Sequence, residues 1–274
     1  MKMLKKCIMN KIVIFYVPGC YTLFKRMTTS NKRQGLFCYH IVPILYLYFL
    51  EHSWSIASLL SFCLLVIAFY SQYEIGYIYN DTETIKLENE PSKRLDESET
   101  LYYEEHKKKI YLGHILSFVV GFSLLWLLEE QEEFLTYSFF AMIAEMAIFL
   151  GYNNVRGKKS LPLFFLLELF KYLPFVWLLY ANHIVVGIII ISMIYAVPNT
   201  IERLSFKRYG ITWMNKLLPT KDSFSNFRVI FYFAVCLLLF LDKVFLQYLP
   251  LFLFLLVFRC LAILKLKREI KIKK

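Results

Sequence analysis

The chain has 274 residues, of which 58% are hydrophobic and 18% aromatic, and it carries a formal net charge of +11. With a mean hydropathy of +0.50 it holds more apolar surface than a water-soluble domain can bury, so we predict an integral membrane protein. The six cysteines and five histidines lack the spacing of a disulfide framework or a zinc site. Topology and anionic lipid headgroups explain the positive charge, and no nucleic-acid partner is predicted.

Apolar runs in chain order predict an all-α polytopic bundle of about eight transmembrane helices. Residues 1–34 are predicted to be a basic cytoplasmic or interfacial segment, 35–264 a single transmembrane helical domain, and 265–274 a basic cytoplasmic tail. We place a turn at Ala181–His183, because about 37 residues at ~1.5 Å each would overrun a hydrocarbon layer of ~30 Å. The predicted spans are 35–50, 53–79, 110–128, 134–151, 161–181, 182–197, 229–241 and 244–264.

Lysine and arginine predict the orientation of these spans. They concentrate in every second loop, which by the positive-inside rule places both termini and the loop after the second span in the cytoplasm. Only Asp242 and Lys243 divide the last two runs, so one oversized span over 229–264 is the alternative. That alternative would move the basic tail outside, and the rule therefore favours two spans.

The loop after the second span carries the main candidate site. Asn80, Asp81, Glu83 and Glu88 offer oxygen ligands to a hard cation such as Mg²⁺. Glu74 lies seven residues before Asp81, which puts both on one helical face with Glu74 about two turns deeper. Asp81, Glu74 and Asn80 are therefore the candidate catalytic residues.

Basic residues in two cytoplasmic loops are candidates to hold the phosphates that such a cation would carry. Lys93 and Arg94 follow the carboxylates closely, and Arg156 and Lys158 lie in the loop after the fourth span. For the second loop, topology alone is the competing explanation, since basic residues are expected at any cytoplasmic membrane edge.

The loop after the sixth span resembles the loop after the second. Each leaves the membrane through Asn and Thr, then offers Glu and then Lys or Arg; here the residues are Asn199, Glu202, Arg203 and Lys207. Four spans separate the loops, as a duplication of a four-helix unit would give. We predict that the two loops lie on one side and converge on one ligand, with Glu202 as a further metal ligand and the other three as diphosphate-binding residues.

Ionisable groups also lie inside the predicted spans, where they are costly and usually functional. Glu145 has no obvious local partner, and a misplaced helix boundary is the alternative. Glu168 and Lys171 are i,i+3 neighbours, so a structural pair is the alternative to a functional cavity.

These loops resemble the signatures of the UbiA-type membrane prenyltransferases, which are all-helical bundles with a polar site facing the cytoplasm. Their first signature, NDxxDxxxD, is matched by Asn80, Asp81 and Glu88, whereas Thr84 stands at the central Asp and Glu83 is adjacent. The family commonly has nine helices, and residues 12–24 would supply the ninth.

Other residues resemble the branch of that family that moves a phosphoribosyl group onto polyprenyl phosphate. Pro91–Arg94 is similar to a shortened form of its basic motif, and Tyr152–Pro162 resembles its loop after the fourth span. The second signature is Asp-rich in prenyl-transferring members, whereas Glu202 is the only acid in IERLSFKRYG.

The resemblance implies an intramembrane transferase that uses a prenyl or phosphoribosyl diphosphate donor and a lipid or lipid-phosphate acceptor. Mg²⁺ would neutralise the departing diphosphate, and an isoprenoid or polyprenyl phosphate would be a substrate. Two alternatives remain open at this point: a transporter of a lipid-linked intermediate, and a non-catalytic lipid-binding relative.

Overall fold

The structure is a computed structural model that describes residues 11–87, 93–129, 132–155, 157–176 and 184–272. Glu88, Arg156 and the predicted turn at Ala181–His183 lie outside the described residues. The described residues form no strand, which confirms the predicted all-α class. The α-helices are α1 Ser30–Gly35, α2 Val42–Glu51, α3 Ile56–Thr82, α4 Glu97–Leu128, α5 Glu132–Asn154, α6 Ser160–Phe170, α7 Ile184–Ile191, α8 Val197–Leu204, α9 Thr212–Leu217, α10 Lys221–Leu239, α11 Lys243–Leu246 and α12 Leu249–Ile272.

Within the described ranges, four helices are long and apolar enough to cross a membrane. The predicted count of eight is therefore not confirmed. Part of the reason lies in the fifth predicted run, where α6 ends at Phe170 and a 3₁₀ turn over Leu173–Phe175 follows. This turn contains Pro174, which lacks the N–H that an α-helix would need. The four helices are Ile56–Lys86, Glu97–Leu128, Glu132–Asn154 and Val185–Leu204.

Contacts divide the chain into two compact units, which are described separately. Unit 1 comprises Met1–Phe37 and Tyr48–Asn154, and unit 2 comprises Cys38–Leu47 and Val155–Lys274. One boundary, between Asn154 and Val155, falls between the fourth and fifth predicted spans. The units nevertheless differ from the two predicted four-helix halves, because Cys38–Leu47 of the first predicted span belongs to unit 2.

Unit 1 is built on α3, which packs along both α4 and α5. Its buried cluster joins Phe15 and Tyr21 of the N-terminal segment to Ile78, Tyr103 and Ile110 on α3 and α4. The N-terminal segment is therefore part of the core of this unit.

The start of α4 lies 13 residues before the apolar run that predicted it. Asp96 caps this start: its side chain accepts from the Glu99 N–H while the Glu99 side chain accepts from the Asp96 N–H, a reciprocal capping box. Further along, Leu116, Val120 and Leu127 are at least half exposed. An exposed apolar face of this kind is expected against lipid.

Close packing of α3 against α5 centres on a glycine. A Cβ added at Gly76 would lie less than 3.0 Å from three ring atoms of Phe149, so only glycine fits without displacement. One turn away, the Asn153 side-chain amide donates to the Gly76 carbonyl at 3.2 Å. Small residues allow this approach between membrane helices, and polar side chains strengthen it.

Unit 2 pairs α10 with α12, and α6 with α8. Between α7 and α8 the helix widens into a π-helical segment, Ser192–Ala196. The Ile194 carbonyl in this segment accepts hydrogen bonds from the hydroxyls of Tyr39 and Tyr232, at 2.8 Å and 3.0 Å. The wide turn thus supplies a backbone oxygen to side chains from two other segments.

Candidate functional site

Asp81 lies near the C-terminal end of α3 and is surrounded by donors. Its Oδ1 accepts from Arg26 Nη2 at 2.6 Å and from Arg94 Nη1 at 2.7 Å, and its Oδ2 accepts from the Tyr21 hydroxyl at 3.0 Å. The side chain is 1% exposed, whereas that of Arg94 is 33% exposed. One buried carboxylate therefore holds two guanidinium groups, one of which reaches the surface.

The N-terminal segment supplies two of these three partners. Tyr21 precedes a π-helical stretch, Thr22–Arg26, whose last residue places its guanidinium 4.1 Å from the centre of the Tyr77 ring. Burial raises the pKa of the Tyr21 phenol, and the nearby Asp81 carboxylate raises it further. Tyr21 is therefore a permanent hydrogen-bond donor to Asp81.

Glu74 lies two turns below Asp81, as the helical spacing predicts, and both side chains contact the same N-terminal segment. Its Oε1 accepts from the Thr22 N–H at 2.6 Å and its Oε2 from the Gly19 N–H at 3.0 Å. Gly19 has φ of +86°, a left-handed conformation that favours glycine and lets the chain turn here. Both carboxylate oxygens of Glu74 thus anchor backbone, and its side chain is completely buried.

The described carboxylate and amide oxygens do not fit the coordination of a magnesium ion in this arrangement. Asp81 is held by two arginines, Lys107 donates to Glu83, and the Asn80 carbonyl oxygen accepts from the Thr84 hydroxyl at 3.1 Å. Within the described ranges, no group of three or more His, Cys, Asp or Glu side chains could hold a metal ion. The magnesium site stays a prediction, since Glu88 lies outside these ranges, and no step below depends on it.

A cavity of about 500 Å³ opens beside Asp81. Lys93 and Arg94 line it, as do the apolar side chains of Leu95 and Leu101. Acidic groups line it too, and one of them, Glu104, pairs with Lys86 at 3.0 Å. Its lining therefore combines charged groups of both signs with apolar side chains, which suits a ligand that has a phosphate and a hydrocarbon chain.

Unit 2 contains a second buried polar cluster, at the residues predicted from the sixth span. Asn199 and Glu202 are brought together by Arg228, which donates Nη2 to Asn199 Oδ1 at 2.6 Å and Nε to Glu202. Asn199 also accepts from the Tyr39 hydroxyl at 3.1 Å and donates to Glu168. This cluster parallels that of unit 1, since in each a tyrosine and an arginine donate to a polar residue late in a long apolar helix.

Of the remaining predicted phosphate-binding residues of unit 2, Lys158 and Lys207 lie on turns and Arg203 lies on α8. Lys158 and Lys207 are exposed, on two 3₁₀ turns that contact each other. Arg203 lies flat over the Phe164 ring, with its guanidinium carbon 3.9 Å from the ring centre. The prediction that the two loops converge on one ligand is not tested, because they belong to different units.

Sequence reasoning missed Arg26, Arg228 and Arg259 as candidate site residues. For Arg259 a signal was available, because it is a single charge in the apolar run LFLFLLVFRCLAIL. The partner of Glu145 was missed as well: the Gln72 amide donates to it at 2.6 Å, and both side chains are buried. Glu145 lies well inside α5, which excludes a misplaced helix boundary.

Comparisons with known proteins add no further assignment. No protein-family model, curated protein or solved structure matches this chain. The resemblance to UbiA-type prenyltransferases therefore stays a prediction from the loop residues, and any function must be argued from the site itself.

Proposed function

We propose that this protein is an intramembrane transferase whose cavity beside Asp81 binds the diphosphate of a lipid-directed donor. The observation that carries the proposal is the arginine pair on Asp81. One negative charge there binds two guanidinium groups, and one of these, Arg94, lines the cavity together with Lys93 and Lys86, opposite the carboxylates of Glu97 and Glu104. Guanidinium groups match phosphate oxygens in geometry and charge.

In this proposal Asp81 is a positioning residue. Its carboxylate holds Arg94 at the cavity, where the remaining N–H groups of Arg94 would bind a phosphate, and it binds Arg26, which packs over Tyr77 and ties the N-terminal segment to α3. Lys93, which lines the same cavity, would add a mobile positive charge. Glu74 anchors the N-terminal segment that carries Arg26, so its effect on the ligand is indirect.

In the proposed reaction, the bond between the donor carbon and its diphosphate oxygen breaks, a nucleophilic oxygen of the acceptor lipid bonds to that carbon, and diphosphate leaves. Negative charge accumulates on the departing diphosphate, where Arg94 and Lys93 would stabilise it. If the acceptor is a lipid phosphate, its attacking oxygen is already deprotonated and no general base is needed. The reaction therefore favours transfer of a phosphoribosyl group to a lipid phosphate over transfer of a prenyl group to an aromatic acceptor. We further propose that the cavity faces the cytoplasm.

Binding is tested first, with the purified full-length chain in detergent. Inorganic diphosphate and a soluble prenyl diphosphate are titrated, and affinity is measured by thermal stabilisation. Arg94→Gln should weaken binding by about tenfold or more, since a hydrogen bond between charged groups contributes about 1.5–3 kcal/mol. Lys109→Gln, which removes an exposed charge elsewhere on α4, is the matched control and should leave affinity unchanged.

Turnover is tested with labelled polyprenyl phosphate and phosphoribosyl diphosphate, and separately with a prenyl diphosphate. Diphosphate release that is lost in Arg94→Gln and kept in Lys109→Gln supports the transferase. If the protein binds diphosphate but releases none from either donor class, the result supports the second candidate, a non-catalytic lipid-phosphate-binding protein. That candidate is favoured by the state of Asp81, whose carboxylate binds arginines and is not free to bind a metal ion. Absence of both binding and release would refute the proposal.

A further inference from the structure

We propose that Arg228 and Arg259 form a separate anion-binding site in unit 2 that takes a phosphate group. Arg228 lies on α10 and Arg259 on α12, and the guanidinium carbon of each is 4.7 Å from the centre of the Tyr39 ring. Two cations from different helices are thus gathered on one buried tyrosine. Their guanidinium carbons can be no further apart than twice that distance.

The carboxylates of this cluster leave one arginine without a direct partner. Glu202 accepts from Arg228 and Glu168 accepts from Asn199, whereas the described contacts give Arg259 no carboxylate. Like charges in a low-dielectric environment repel, and a cation without a counter-ion is costly to bury. A bound anion would give Arg259 a direct partner.

Unused donors give an independent reason to infer a ligand. Arg228 is only 4% exposed, yet its Nη1 has no hydrogen-bond partner within the described part of the chain, and the same is true of the buried Arg259 Nε. A buried donor left without an acceptor is normally avoided in folded proteins. Phosphate offers several acceptor oxygens in a tetrahedral arrangement, which suits donors arriving from two helices.

The tyrosine beneath the arginines is held in place from several directions. The Tyr39 hydroxyl donates to the Ile194 carbonyl at 2.8 Å, and the Tyr232 hydroxyl, which donates to the same carbonyl, lies 3.3 Å from the Tyr39 hydroxyl. Tyr39, Tyr232 and Arg228 are each at most 5% exposed. The platform is therefore rigid, and rigid positioning of the cations reduces the entropic cost of binding.

Two sources of phosphate are compatible with this chemistry: a free phosphate and the headgroup of a phospholipid. The first experimental arm titrates inorganic phosphate against the full chain in detergent at constant ionic strength, with thermal stability as the measurement. The second arm measures thermal stability in phosphatidylcholine nanodiscs with and without phosphatidic acid. Stabilisation in the first arm identifies free phosphate, and stabilisation in the second alone identifies the lipid.

The variants are Arg259→Gln and Arg228→Lys. The lysine keeps the positive charge beside Glu202, which protects the fold. It lacks the unused Nη1 group, so the proposed phosphate donor is removed. Each should weaken the response to the effective probe by about tenfold, the effect of losing one charged hydrogen bond. Lys216→Gln removes an exposed charge in the same unit and should have no effect.

Repeating both arms in an Arg94→Gln background separates this site from the cavity beside Asp81, because the further loss caused by Arg259→Gln should be the same there as in the wild-type chain. Two results would overturn the proposal. One is that neither probe stabilises the wild-type chain. The other is that Arg259→Gln and Arg228→Lys both respond like the wild type.

Discussion

Replacing Asp81 by Asn tests whether this residue holds arginines or awaits a metal ion. The substitution keeps the size of the side chain but removes the charge that Arg26 and Arg94 share. Breaking a buried ion pair by removing one partner costs about 3–5 kcal/mol. Because Arg26 and Arg94 are 15% and 33% exposed, water compensates part of this loss. We therefore expect Asp81→Asn to lower the free energy of unfolding by about 2–4 kcal/mol.

The assay is denaturant unfolding in detergent micelles with a chelator present, so that no divalent ion contributes. Glu104→Gln is the matched control, because this carboxylate lines the same cavity but pairs with an exposed Lys86; its cost should be below about 1 kcal/mol. A double variant with Arg26→Gln should cost less than the two single changes added together. If Asp81→Asn proved as stable as the wild type without metal, the arginine-holding role would be refuted.

Two further predictions concern packing and pH. Gly76→Ala should destabilise the protein by about 1–3 kcal/mol, because the added Cβ forces Phe149 to move. Gly151→Ala, whose added Cβ meets open space in a helix, should stabilise the protein by up to about 1 kcal/mol. Equal effects of the two changes in unfolding measurements would contradict the packing argument. The Glu99 N–H, at 2.8 Å, holds the pKa of Asp96 below its ordinary 3.8. Because the folded pKa is the lower one, the Asp96 charge stabilises the protein above about pH 4, and this contribution is lost as the pH falls through the folded pKa. The stability advantage of the wild type over Asp96→Asn should therefore shrink between about pH 6 and about pH 3, and a constant difference would contradict it.

Hydropathy predicted the all-α class and the four described helices that are long and apolar enough to cross a membrane, because a bilayer requires long apolar segments with internally satisfied backbones. It did not predict where α4 begins, since the first 13 residues of that helix are mostly polar. The local signal there was the capping box, Asp96 followed three residues later by Glu99. Hydropathy also could not show that α6 ends at Phe170, because the residues beyond it are apolar as well.

The sequence predicted which candidate site residues share a face of one helix. It did not predict which residues from distant parts of the chain contact them. Glu74 and Asp81 share a face because seven residues make about two turns. Their partners Tyr21, Thr22 and Arg26 lie more than 50 residues away in sequence, and no local pattern connects them. The contact of Arg228 with Asn199 is likewise determined by tertiary packing.

Around the π-helical segment Ser192–Ala196, the structure depends on the number of residues as well as on their types. A wide turn accommodates one extra residue, so deleting a residue inside it would restore regular α-helical pitch and leave the following helix facing as before. Deleting a residue between this turn and Asn199 would instead rotate everything after it by about 100°, and Asn199 and Glu202 would leave the face on which they meet Arg228. In this stretch the position of a gap in a sequence alignment therefore decides whether the site is kept.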